Sequence, residues 1–193
     1  MPLTDGLSRR DLLGASAAGL LGFRCTGSPA PAPTARTGAV VFVRHAEKAK
    51  APAGDPDLTD RGRVRAKALA GMLASCGVTR LFATELLRTQ ATLRPLSERL
   101  GLEIERYSAR EPARFADRLA MLAGEVTVVA GHADTLPAMI AKLGGELAGL
   151  DDRNFMDDSD YDRVVVQILL AGDAEAPMRA LQTLDLRLVI RAD

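Results

Sequence analysis

From residue 39 onward, short runs of apolar β-formers alternate with longer stretches in which apolar side chains recur at helical spacing. Residues 39–43 (Ala-Val-Val-Phe-Val) form one such run, halted by Arg44 and His45, and predict a buried parallel strand. A loop rich in Pro, Gly and Asp follows over 51–57. Thr59 or Asp60 then caps a helix reaching about residue 75, with Val64, Ala68, Leu69, Met72 and Leu73 along one face and Gly77 as its stop. A second strand is expected within 79–84 and a second helix over 85–100, with a kink or local break at Pro95. Residues 103–107 alternate as a third strand, and 111–123 read as a helix with Pro112 in its first turn. The Val-rich run 125–130 predicts a fourth strand that leads straight into Gly131 and His132. A helix over 135–143, an acidic loop over 151–162 and two strands at 164–170 and 184–190 complete the pattern.

Strands alternating with helices predict a three-layer α/β/α sandwich built on a mostly parallel sheet. The last two strands have no helix of useful length between them, so one edge strand is expected to be antiparallel. Ligands of such sheets bind beyond the C-terminal ends of the strands. The chain has only two histidines, His45 and His132, and each directly follows an apolar strand.

The first 35 residues read differently. Residues 7–13 contain Arg9-Arg10, and a run of small and apolar residues fills 14–23. That run is far short of the roughly 20 residues a bilayer span needs. A charged start before a short apolar run suits an export signal, and the arginine pair resembles a bacterial twin-arginine signal. A disordered basic tail is the alternative. The expected organisation is therefore an export signal with a Pro/Ala-rich linker over 1–35 and one globular domain over 36–193. It places the mature protein in the periplasm without a membrane span. Phe23 and Arg24 precede Cys25 where a lipid-anchor signal needs small residues, so lipidation at Cys25 is disfavoured.

Composition narrows the classes. Hydrophobic residues make up 47% of the chain and Trp is absent, so the core must be made of Ala, Leu, Val and Ile. The 25 basic and 25 acidic residues balance, which leaves no basic excess for a nucleic-acid partner. With only Cys25 and Cys76, neither a disulfide framework nor cysteine spacing for zinc is present.

Three patches carry chemistry: Arg44-His45-Ala46-Glu47-Lys48, then Thr84 to Gln90 with Arg88 within it, then Gly131-His132-Ala133-Asp134-Thr135. Together they resemble the Arg-His signature, the Ser/Thr-x-x-x-Arg helix start and the Gly-His signature of the histidine phosphatase (phosphoglycerate mutase-like) superfamily. Leu58-Thr59-Asp60-Arg61-Gly62 is similar to a further element of that family. The likeness runs in family order from about residue 40 to 143. It implies a phosphoglycerate mutase-like fold and a phosphomonoesterase acting through a phosphohistidine on His45, with no cofactor. The substrate would be a phosphorylated small molecule or a phosphoprotein.

The residue types suit that role. A phosphate dianion needs positive charge that does not titrate, and Arg44 and Arg88 offer planar forks for its oxygens. Neutral imidazole is a competent nucleophile at phosphorus. The second ring nitrogen of His45 is expected to donate to a backbone carbonyl, and His132 would supply a further donor. Thr84 is expected to cap the second helix and to lie beside the phosphate. Lys48 and Arg61 read as surface charges. The leaving-group acid is less determined, because Ala133 rather than a carboxylate follows His132; Asp134 and Glu47 are the candidates. Two other readings remain open: a phospho-ligand binding module without turnover, and a metal site of His45, His132 and a carboxylate such as Asp134. The short connections leave only the 151–162 loop to form a rim, so an open site is expected.

Overall fold

The computed structural model describes residues 35–122, 124–171 and 176–190. The export-signal reading of the N-terminus, Cys25 included, falls on residues 1–34 and lies outside the described residues. Six strands, β1 (Arg36–Arg44), β2 (Arg80–Thr84), β3 (Ile104–Tyr107), β4 (Val126–Gly131), β5 (Arg163–Ala171) and β6 (Arg179–Arg187), form one sheet in the order β3-β2-β4-β1-β5-β6. The first four in that order are parallel neighbours. β5 runs antiparallel to β1, and β6 runs antiparallel to β5. The expected antiparallel edge is therefore a two-strand hairpin.

Among the described residues, four helices cover the sheet: α1 (Asp60–Leu73), α2 (Leu87–Leu100), α3 (Pro112–Leu119) and α4 (Thr135–Lys142). Alternation along β1 separates two cores. Val41 and Val43 pack with Leu69, Leu73, Leu93 and Leu96 from α1 and α2. Val40 and Phe42 pack with Phe115, Leu119, Met139 and Ile140 from α3 and α4. Strands clothed on both faces must be apolar throughout, which is why 39–43 and 126–130 carry no alternation. The three-layer sandwich is thus present. Among the described residues, no helix is long and apolar enough to cross a membrane.

Several local expectations shift. α1 is rotated from its expected face: Val64 and Met72 are exposed, while Arg65 and Ala66 join Leu69 and Leu73 on the buried side. The reason is electrostatic, since Arg65 turns inward to pair with Glu47. Thr59 is the N-cap, its hydroxyl oxygen accepting from the Gly62 amide at 3.1 Å. α2 begins at Leu87 and continues unbroken through Pro95. The fully buried Leu93 and Leu96 hold the turns on either side of the proline, so packing overrides the lost hydrogen bond. α3 ends at Leu119, short of residue 123. β6 starts at Arg179 rather than 184, because its register with β5 extends from Arg163–Arg187 to Leu170–Arg179 regardless of its mixed polarity.

Candidate active site

β1 and β4 are neighbours whose chain connections leave in opposite directions, β1 toward β2 and β4 toward β5. This is the switch point at which an open α/β sheet forms a crevice beyond its strand ends. A cleft of about 440 Å³ lies there, and Arg44, His45, Arg88, His132 and Asp134 line it. The histidine ring centroids are 5.4 Å apart. Residues from β1, β4 and the start of α2, separated by up to 88 positions between Arg44 and His132, thus meet in one place.

His45 is buried and its backbone is fixed. Its amide donates to the Gly131 carbonyl at 2.9 Å, and the next amide, Ala46, donates to Thr92 Oγ1 at 2.9 Å. Its Nδ1 lies 2.8 Å from the Ala46 carbonyl oxygen. A carbonyl can only accept, so Nδ1 carries the proton and Nε2 keeps its lone pair. This is the backbone partner expected from the sequence. Burial pushes the His45 pKa down to about 3; the Ala46 hydrogen bond opposes that, and Arg44, His132 and Arg88 add to it. Burial, with Arg88 next, lowers His132 to about 4, against the pull of Asp134 and Glu85. Both rings are neutral at pH 7.

Thr84 is not the α2 cap. It is fully buried, with Oγ1 3.0 Å from His132 Nε2 and 2.8 Å from Thr89 Oγ1, while Leu86 occupies the N-cap position. Thr84 therefore orients His132 rather than lining the cleft. The Thr135 hydroxyl oxygen accepts from the His132 amide at 3.0 Å.

The two arginines are held by loops. Arg44 donates from Nη1 to the Asp157 carbonyl at 2.7 Å and from Nη2 to Asp158 Oδ1 at 3.0 Å, and its guanidinium lies 4.6 Å from the Tyr161 ring centre. Arg88 reaches Asp55 Oδ1 at 3.7 Å. In both side chains Nε is buried without a hydrogen-bond partner among the described residues.

The two acid candidates part company. Asp134 lines the cleft. Glu47 does not: Arg65 grips it in a fork, Nε to Oε2 at 2.9 Å and Nη2 to Oε1 at 2.7 Å, with Arg61 3.1 Å from Oε1. Partial burial alone would raise the Glu47 carboxyl, but the Arg65 hydrogen bonds override it and hold the group below the usual carboxylate range. Its neighbour Lys48 bridges to Leu58 through the backbone. The side chain of Arg61 is largely exposed, as expected of a surface charge. Sequence reasoning did not single out Tyr161, Asp158, Asp55, Arg153 or Phe155. The acidic loop expected to form a rim supplies Arg153, Phe155 and Asp158 to the cleft. No three His, Cys, Asp or Glu side chains among the described residues are grouped to hold a metal ion, so His45, His132 and Asp134 do not make the metal triad considered above.

Comparison with known proteins agrees with this fold. Residues 40–110 match the model of the histidine phosphatase superfamily (branch 1). Among solved structures, the protein histidine phosphatase SixA complexed with tungstate aligns with TM-score 0.54 at 17% identity, covering 75% of this chain and 95% of that one. A SixA protein from Agrobacterium tumefaciens aligns with TM-score 0.52 at 18% identity, covering 76% and 97%. A phosphoserine phosphatase from Entamoeba histolytica, in complex with 3-phosphoglyceric acid, aligns with TM-score 0.51 at 10% identity, covering 76% and 96%. At these identities the likeness establishes a shared fold. None of the curated proteins matches the chain by sequence.

Proposed function

Taking as premise a chain with the histidine phosphatase fold and a superfamily match over residues 40–110, we propose that it hydrolyses phosphate monoesters through a phosphohistidine on His45. One observation carries the reading. A neutral imidazole with its Nε2 lone pair free lies in a cleft lined by two arginines, Arg44 and Arg88. A tetrahedral oxyanion supplies acceptors for both.

The reaction divides into two displacements. His45 Nε2 attacks phosphorus, an N–P bond forms and the P–O ester bond breaks. The leaving oxygen takes the proton of Asp134, the cleft carboxyl group that does not pair with Arg44. Water then attacks phosphorus and gives its proton to Asp134; the N–P bond breaks and inorganic phosphate leaves. Arg44 and Arg88 stabilise the charge on the phosphoryl oxygens throughout. When Thr84 donates to His132 Nε2, His132 Nδ1 carries the proton and donates to the same group. No step needs a metal. Glu47 is given no part in proton transfer, because its fork with Arg65 keeps it ionised.

The test is release of nitrophenol from para-nitrophenyl phosphate with EDTA present, beside His45→Ala, with trapping of acid-labile phosphoprotein. Turnover and trapping lost in the variant support the reading. Turnover that survives in His45→Ala refutes it, and phosphate binding without turnover favours the binding-module alternative. Tungstate is expected to compete with substrate.

We also read residues 1–35 as a twin-arginine export signal and a Pro/Ala-rich linker. Fractionation of cells producing the full chain and Arg9→Lys/Arg10→Lys tests this. Retention of the variant in the cytoplasm supports it, and equal export of both refutes it.

A further inference from the structure

A second groove opens beside the phosphate cleft. It measures about 410 Å³, and Asp134, Arg153 and Phe155 line both. Its floor is α4, where Pro137, Ala138 and Ala141 present no side chain larger than a proline ring. Leu150 and Phe155 supply the opposite apolar wall, and Asn154 is the one polar side chain not shared with the cleft.

That wall is built before any ligand arrives. Asp151 Oδ1 accepts from the amides of Arg153 and Phe155, each at 2.9 Å, and Oδ2 accepts from Arg153 Nε and Nη2 at 3.1 and 2.9 Å. The Asp151 amide donates back to the Phe155 carbonyl at 2.9 Å. The Arg153 guanidinium then lies 4.9 Å from the Phe155 ring centre. The Met156 amide donates to the Ala133 carbonyl at 2.9 Å, which ties the loop to the residue after His132. Four hydrogen bonds to one carboxylate fix the loop that forms the wall, so binding there costs little ordering.

We propose that this groove binds the leaving group of the substrate, and that the substrate is a phosphate monoester of an apolar, ring-sized alcohol or phenol. This rests on the phosphatase reading above and deepens it. The phosphoryl group occupies the cleft, the ester oxygen lies at the junction and the apolar body lies along Ala138 and Ala141. Asp134 stands at that junction, where the departing oxygen needs its proton. An apolar body gains from the Phe155, Leu150 and Pro137 surfaces, whereas a polyhydroxylated body would leave its hydroxyls against walls that offer few partners.

Calorimetric binding of two non-hydrolysable probes to the full chain, naphthylmethylphosphonate and methylphosphonate, tests the subsite without turnover. In the native protein the naphthyl probe is expected to bind at least about tenfold more tightly. Filling the groove at an exposed helix position with Ala138→Leu or Ala141→Leu is expected to bring that ratio to about one; circular dichroism shows that each variant folds. Because the ratio compares two probes in one protein, it is independent of any change in phosphate affinity. A ratio below about two in the native protein, or a preference that survives both filled variants, overturns the proposal. Absent turnover in the nitrophenyl assay overturns the phosphatase reading instead, and the two failures are separately visible.

Discussion

Lowering the pH from 6 to 5 should cost the folded protein about 2 kcal/mol, because two buried neutral histidines resist a proton that the unfolded chain accepts. His45 and His132 titrate at about 3 and about 4 in the folded state, against an ordinary value of 6.5. Between pH 5 and 6 the folded protein therefore holds neither proton, while each histidine of the unfolded chain is largely protonated. The unfolded state binds more protons, so stability rises with pH across this window and falls as pH drops through it. Each site approaches a slope of about 1.4 kcal/mol per pH unit, and averaging over partial protonation leaves about 1 kcal/mol each. The window is clean for two reasons. The chain has no other histidine, and the ordinary values of the perturbed carboxylates, Glu47, Asp57, Glu125, Asp151 and Asp157, lie at 3.8 to 4.5 and their folded values lower still, so these groups are mostly ionised in both states across the window. Urea unfolding at half-unit steps from pH 5 to 7 measures it, with His45→Gln, His132→Gln and the double variant alongside. Each single variant should remove about half of the slope and the double variant nearly all. A native profile that is flat between pH 5 and 6, or a slope that survives in the double variant, refutes the burial argument.

Four substitutions probe the surroundings of the site. Asp158→Asn frees Arg44 from an exposed carboxylate and should lower the inhibition constant of phosphate by about two- to fivefold at low salt, less at high salt; an unchanged constant at low salt counts against competition at Arg44. Glu47→Gln strips the paired charge from the buried Arg65 and should cost about 3 kcal/mol in urea unfolding, with the preference between good and poor leaving groups unchanged. Asp134→Asn should do the opposite, slowing alkyl phosphates far more than nitrophenyl phosphate at near-native stability; equal slowing of both would remove Asp134 as the acid. Gly62→Ala places a Cβ 2.3 Å from the Glu47 carbonyl oxygen and should destabilise by more than about 1 kcal/mol, so a neutral effect in thermal unfolding would show that this loop can yield.

What the sequence disclosed follows from range. Apolar runs halted by Arg44-His45 and by Gly131-His132 marked two strand ends, and the switch-point rule then placed both histidines in one crevice. The Thr59 helix cap depends on neighbours within a few residues and was equally legible. Direction was not. Glu47 lies two positions from His45, yet its side chain turns to Arg65, and nothing in a charged residue on an apolar helix announces that it will be buried. The same pair explains why α1 buries a different face from the expected one, since apolar periodicity counts Val64 and Met72 but not an inward arginine. Tyr161 and Asp158 reach Arg44 from more than 110 positions away through a loop, where no periodicity exists to read.

The placement of those loop carboxylates bears on how a cleft rich in positive charge can stay both folded and receptive. A guanidinium buried without a partner would be costly, and a carboxylate buried beside it would be hard to displace. Arg44 is 4% exposed while its partner Asp158 is fully exposed, and Arg88 is 13% exposed while Asp55 is 45% exposed. Exposed carboxylates contribute only a fraction of a kcal/mol to such pairs, so they steady each arginine without competing strongly for it. A phosphate dianion brings more charge than either carboxylate and more acceptor oxygens for the two guanidinium groups that line the cleft. Keeping both histidines neutral completes the arrangement: a protonated His45 would add charge to the cleft but lose the lone pair on Nε2 that the chemistry requires.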